Sequence, residues 1–171
     1  MPLNIIIGNI ISFVAALFMT TSCLIKDKKK IFFLQSMECI TLAVASVFFK
    51  AYAGVATLLI SALRNYIVSK DKFSTKVMYI FIALTAFLGF LTNNRGVIGL
   101  IPVAATIQFT LCQKYCKKLF TIKLMIFVNT FAWVVYSLII KDYSTAFFDI
   151  IATTACLVSI INMLVNSYKH R

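Results

Sequence analysis

Acidic residues are scarce in this chain: five Asp and Glu stand against 17 Lys and Arg, a formal net charge of +12. With so few carboxylates, no pair has the look of a general acid and base. Histidine is scarcer still. The only one, His170, lies in the C-terminal tail, so no Ser–His or Cys–His nucleophile can be assembled among the apolar segments. Five glycines leave no phosphate-cradling loop. Five cysteines, odd in number and scattered, give no disulfide framework. Cys112 and Cys116 are four residues apart, but no His or carboxylate joins them, so no metal site is expected. On these grounds neither an enzyme nor a cofactor is expected.

Long polar stretches are missing as well. Hydrophobic residues make up 61% of the 171 residues, and the mean hydropathy is +0.95. Too little polar surface is left for a fold that faces water. Seven apolar stretches account for nearly the whole chain: 4–25, 31–49, 52–68, 75–92, 96–113, 119–140 and 143–168. A bilayer core of roughly 30 Å takes about 20 helical residues to cross. Lipid cannot satisfy free backbone groups, so an all-α transmembrane fold of seven helices is expected. The 16 phenylalanines read as lipid-facing and packing residues.

The basic residues alternate between gaps. Thirteen fall in the gaps after spans 1, 3 and 5 and in the tail, including Lys26, Lys28, Lys29, Lys30, Lys70, Lys72, Lys76, Lys114, Lys117, Lys118 and Lys123. The other gaps hold only Lys50, Arg95 and Lys141. The positive-inside rule then places the N-terminus outside and the C-terminus in the cytoplasm. Basic residues at helix ends orient the protein and meet anionic head groups, so nucleic acid is not an expected partner. The positive cluster follows the first apolar span, so that span is expected to be a retained helix.

A shift of 88 residues aligns two parts of the chain. Gly8 meets Gly96, Ala16 meets Ala104, and Lys26, Lys29 and Lys30 meet Lys114, Lys117 and Lys118. A few extra residues then bring Lys50-Ala51-Tyr52 onto Lys141-Asp142-Tyr143. One membrane domain, 1–171, is expected, with repeat one at 4–68, an inverting linker helix at 75–92 and repeat two at 96–168. An odd number of helices between the starts of the two repeats makes them parallel, related by an axis along the membrane normal.

This 3+1+3 layout resembles the SWEET, or MtN3/PQ-loop, superfamily of small transporters over the whole chain. At residue level, Lys28-Lys29-Lys30 leading into Ile31-Phe32-Phe33-Leu34-Gln35, the Leu63-Arg64-Asn65 step and the Ile101-Pro102 start of span 5 resemble the YgjV-type bacterial inner-membrane protein family. The SWEET resemblance implies a pocket between the repeats, with Ser46 on span 2, Asn65 on span 3, Trp133 on span 6 and Asp149 or Thr153 on span 7. Two features depart from that pattern. Pro102 has Val14 as its counterpart in span 1, so paired proline hinges are missing, and the Pro-Gln motif is absent.

Ionisable groups inside a bilayer are costly and usually face a partner or a water cavity. Glu38 and Arg64 lie at similar depth on spans 2 and 3. They could form an ion pair that pins the two helices, line a cytoplasmic gate, or leave Arg64 to snorkel. Asp149 has no basic residue at its depth but has Trp133 there. That suits a cation, a polyol or a carboxyl that exchanges a proton; a carboxyl hydrogen-bonded to a neighbouring hydroxyl is the plainer reading. Asn65, Asn129, Asn162, Gln108, Ser46, Thr106 and Thr153 could bind a solute or simply join helices. The expected partners are the lipid bilayer and a small polar solute such as a sugar, and a homo-oligomer is compatible with the sequence. A transporter working by alternating access is the leading reading; a membrane scaffold or modulator of an envelope complex is the alternative.

Overall fold

The computed structural model describes residues 2–24, 28–115 and 119–169. Lys26, Cys116, Lys117, Lys118, His170 and Arg171 lie outside these residues, as do the side chains of Lys28, Lys123 and Lys169. The described chain is helical: α1 (Leu3–Leu24), α2 (Lys28–Phe48), α3 (Tyr52–Ser69), α4 (Thr75–Leu91), α5 (Ile101–Tyr115), α6 (Leu119–Ile140) and α7 (Tyr143–Lys169). Each apolar stretch of the sequence coincides with one helix to within a few residues. The fifth differs. It opens as a 3-10 segment, Gly96–Leu100, before α5 begins at Ile101-Pro102. Proline has no N–H to give a preceding turn, so a regular helix starts with it in the first turn instead of running through it.

Among the described residues, three stretches are long and apolar enough by themselves to cross a bilayer: Leu3–Ser22, Lys29–Phe48 and Gly96–Tyr115. Thr75–Leu91 and Leu124–Ile140 are apolar but shorter. The distribution of side chains is that of a protein in lipid. Many buried positions are small or polar, among them Ala15, Ala43, Ala45, Ser36, Thr57 and Ser137, beside a few large ones such as Tyr136, Met78 and Phe81. Large apolar side chains point outward from every helix, for example Phe13, Val44, Leu63, Phe87, Phe131 and Phe147. Small residues let helix backbones approach closely, and dispersion contacts then replace the hydrophobic drive that lipid does not provide.

The packing order places the site. Helix α1 packs on α2, α2 on α3, α3 on α5, α5 on α6, α6 on α7, and α7 returns to α1. These six helices close a ring. Helix α4 stands outside it, against α3 and α5.

A left-handed cap ends three helices, at Lys50, Asp71 and Lys141, and at Lys50 and Lys141 the next helix starts two residues on. Lys50 and Lys141 both adopt left-handed conformations, with φ of 54° and 69°. Lys50 N donates to Val47 O and Ala51 N to Ser46 O; Lys141 N donates to Leu138 O and Asp142 N to Ser137 O. Each is a Schellman cap that ends one helix and aims the chain straight into the next.

Candidate functional site

The ring encloses a cavity of about 180 Å3. Residues from all six ring helices line it and none from α4 does. Helix α2 contributes Glu38, Cys39 and Leu42, α3 Ser61, Arg64 and Asn65, α5 Thr106 and Phe109, and α6 Asn129, Thr130 and Trp133. Met19 of α1 and Thr145 and Asp149 of α7 complete the wall.

Arg64 is buried and committed to neutral acceptors. Its Nη1 donates to Thr110 Oγ1 at 2.7 Å and to the Thr106 carbonyl at 3.4 Å. Nε and Nη2 each reach Asn65 Oδ1 at 3.3 Å, and the guanidinium stands 5.3 Å from the centroid of Phe109. The expected ion pair with Glu38 is therefore not formed, and Arg64 joins α3 to α5. Successive helical residues point about 100° apart. Asn65 takes the direction of α2, where Nδ2 meets Cys39 Sγ at 3.8 Å, and that leaves Arg64 facing α5. Glu38 instead shares the cavity wall with Asp149. Among the described residues neither carboxylate has an ion-pair or hydrogen-bond partner.

Trp133 lies edge-on to Tyr136 at 5.8 Å and packs on both buried clusters that join α2 to its neighbours. That holds its ring at the cavity edge. Asn129, one turn before it, has an Oδ1 with no hydrogen-bond partner among the described residues. Of the sequence candidates, Asn65, Trp133, Asp149, Glu38, Arg64, Asn129 and Thr106 come together here.

Ser46 and Thr153 do not line this cavity. Ser46 sits one turn beyond Leu42, past the end of the cavity, where its carbonyl closes the α2–α3 turn. Thr153 donates to Thr130 Oγ1 at 3.0 Å and ties α7 to α6. Gln108 is likewise spent between helices, donating to the Met125 carbonyl at 3.1 Å, and Asn162 is exposed. The sequence reading passed over Ser61, Thr130 and Thr145. A helical face would have found them: Ser61 precedes Asn65 by four residues and Thr145 precedes Asp149 by four.

A second cavity of about 530 Å3 lies between the first and the Lys-rich end of the bundle, bordered by Phe32, Asp71, Phe73, Gln113 and Lys114. Gln35, Phe109 and Ile126 line both cavities and form the neck between them. The opposite end is closed by hydrogen bonds. Arg95 Nη2 donates to the Phe49 carbonyl at 2.7 Å and Asn94 Nδ2 to the Lys50 carbonyl at 2.8 Å, so the segment before α5 caps the α2–α3 turn. Asn9 of α1 caps the α6–α7 turn in the same manner. It donates to the Lys141 carbonyl at 3.1 Å and accepts from Ser144 N at 3.0 Å. Asp142, also missed at the sequence level, N-caps α7 through Thr145 N at 3.0 Å and accepts from Ser12 Oγ of α1 at 2.8 Å.

A family model, Imp-YgjV, described as bacterial inner membrane protein, matches residues 6–167. The chain belongs to that family. No curated protein and no solved structure matches it.

Proposed function

We propose that this inner membrane protein carries a small polar solute by alternating access between two three-helix repeats, α1–α3 and α5–α7, in the 3+1+3 manner of the SWEET-type carriers. Seven crossings put the N-terminus outside and the C-terminus in the cytoplasm, with α4 as the inverting linker. The packing order supports this. A twofold axis along the membrane normal would exchange the α3–α5 contact with the α7–α1 contact, and both are present. The Lys50 turn is capped by Asn94 and Arg95, just before repeat two, and the Lys141 turn by Asn9 of repeat one, an exchange of the same kind.

The observation that carries the reading is the cavity itself, polar in part and lined from both repeats. A membrane scaffold has no need of one. With the Lys-rich end in the cytoplasm, the larger cavity is an inner vestibule, and the Asn9, Asn94 and Arg95 contacts are an outer closure. Glu38 and Arg64 sit deep in the solute site rather than at a separate gate.

The test is water accessibility. In a cysteine-free background, Asn65→Cys and Trp133→Cys are exposed to a membrane-impermeant thiol reagent from either face. Labelling that is fast from the cytoplasmic face and changes with added solute supports a carrier. Protection from both faces, with loop controls labelling normally, favours a packed, non-transporting bundle.

A further inference from the structure

The nature of the solute can be narrowed from the wall of the cavity. We infer that the site takes a small monovalent organic cation, an alkylated or primary ammonium, held between Glu38, Asp149 and the ring of Trp133. This rests on the proposed carrier function and specifies its substrate class.

Three observations lead there. The first is charge. The cavity wall holds two carboxylates and one guanidinium. All three nitrogens of Arg64 are engaged by Asn65, Thr106 and Thr110, and its face lies toward Phe109. Glu38 and Asp149 have no such partners among the described residues. With both carboxyls ionised by its presence, one cation placed beside them would balance the wall. An anion approaching Arg64 would meet two carboxyl groups and find four of the five guanidinium N–H groups already used.

The second is size. A cavity of roughly 150 Å3 holds one benzene molecule. At about 180 Å3, this one suits a ligand of similar bulk, whereas a hexose would have to extend through the neck into the second cavity. That narrows the sugar-like expectation to something smaller.

The third is the character of the remaining wall. Met19, Leu42, Leu58, Phe109 and Ile126 are apolar. Gln35, Ser61, Thr130 and Thr145 could pair with some hydroxyls of a polyol, but those turned to the apolar side would have no partner, at a cost for each. An ammonium with short alkyl groups concentrates its polarity in one charge and presents carbon to the rest. Trp133 offers that charge an aromatic face, the best side chain for the purpose.

Trp133 is the only tryptophan of the chain, so its fluorescence reports this cavity alone. The purified protein in liposomes is titrated with tetramethylammonium chloride, with tert-butanol as a neutral molecule of matched size, with glucose, and with sodium chloride at equal ionic strength. The expected result is a saturable change with tetramethylammonium only, and slower thiol labelling at Asn65→Cys in its presence. Glu38→Gln and Asp149→Asn should each weaken the response roughly tenfold or more, because each leaves the cation with one carboxylate. If either variant fails to fold, the wild-type comparison of tetramethylammonium with tert-butanol still decides.

Equal responses to tert-butanol or glucose, or no response in either readout, overturn the cation assignment. They leave the carrier reading standing if Asn65→Cys is labelled from the cytoplasmic face. Protection of Asn65→Cys from both faces removes both.

Discussion

Replacing Asn94 and Arg95 together by alanine removes the two side-chain bonds that tie the segment before α5 to the α2–α3 turn. The Asn94 bond joins neutral groups, and the net value of such a bond is about 1 kcal/mol. The Arg95 bond, at 2.7 Å from a charged donor, belongs to the stronger class, about 2 kcal/mol. Together they favour the closed outer end by about 3 kcal/mol, an upper figure because water can replace either partner at the rim. Since about 1.4 kcal/mol is a factor of ten, the double variant shifts the balance between closed and open outer ends by up to about two orders of magnitude.

The assay is the rate at which Asn65→Cys reacts with an impermeant thiol reagent from the outer face, with the double substitution and without it. An increase of about tenfold or more is expected, with a slower reaction from the cytoplasmic face. Both directions matter, because a partly unfolded bundle would label faster from both sides. An unchanged outer rate would refute the outer closure, and a rise from both faces would show that the contacts only hold the fold together.

The remaining predictions concern how the bundle is built. Asp142→Ala loses a helix cap of about 1 kcal/mol and an α1–α7 bond to a charged group of about 1.5–3 kcal/mol, so unfolding in mixed micelles should show a loss of about 2–4 kcal/mol; a loss below about 0.5 kcal/mol would mean that Ser12 and Thr145 do not depend on it. Gly96 has φ of +56°, so Gly96→Ala should cost about 1–2 kcal/mol in the same assay, although its side chain would meet nothing within 4 Å. Arg64→Met and Thr110→Val should couple in a double-mutant cycle, whereas Arg64→Met and Glu38→Gln should add within about 0.5 kcal/mol; the opposite pattern would restore the ion pair that the geometry denies.

How much of this could be read from the sequence depended on the kind of signal. Helix positions were legible because apolar runs bounded by charge leave few choices, and the borders at Tyr52, Thr75, Leu119 and Tyr143 fall where the structure has them. The gaps at Lys50 and Lys141, aligned with each other in the sequence, both hold a left-handed cap, as does Asp71 outside that alignment. Depth was legible too, which is why Asn65, Trp133 and Asp149 meet in one cavity.

Azimuth was not. Glu38 and Arg64 have matching depth, but one step of about 100° around α3 separates the side facing α2 from the side facing α5. Thr153 shows the same gap in the reading: its depth is plausible for a solute site, yet its hydroxyl is held by Thr130 on the neighbouring helix. Asp142 escaped notice because it lies in a turn, outside the apolar runs that drew attention to buried charge. The Asp142-x-x-Thr145 spacing at the start of α7 was the available signal, that of an N-cap reaching the third helical residue.

The inside of the molecule explains why packing and function are hard to separate in it. Ser36 donates to the Ala62 carbonyl at 2.8 Å, between α2 and α3, and Thr110 donates to Thr106 within α5 at 2.6 Å while accepting from Arg64. Such hydroxyls are structural, because in lipid a polar group must find a partner inside the protein. Some buried polar groups have not found one, among them Tyr136 Oη and Gln108 Oε1 away from the cavity, but among the described residues only the cavity brings two carboxyl groups without a partner together. These are Glu38 and Asp149, and Asn129 lies in the same wall.

The most direct measurement needs no substitution. Trp133 fluorescence in liposomes is quenched in parallel with acrylamide, which works from water, and with brominated lipids, which work from the bilayer. A water-filled cavity inside the ring predicts strong quenching by acrylamide and weak quenching by brominated lipid. Strong quenching by brominated lipid, or resistance to both, would mean that Trp133 faces lipid or a dry core and that there is no aqueous site between the repeats.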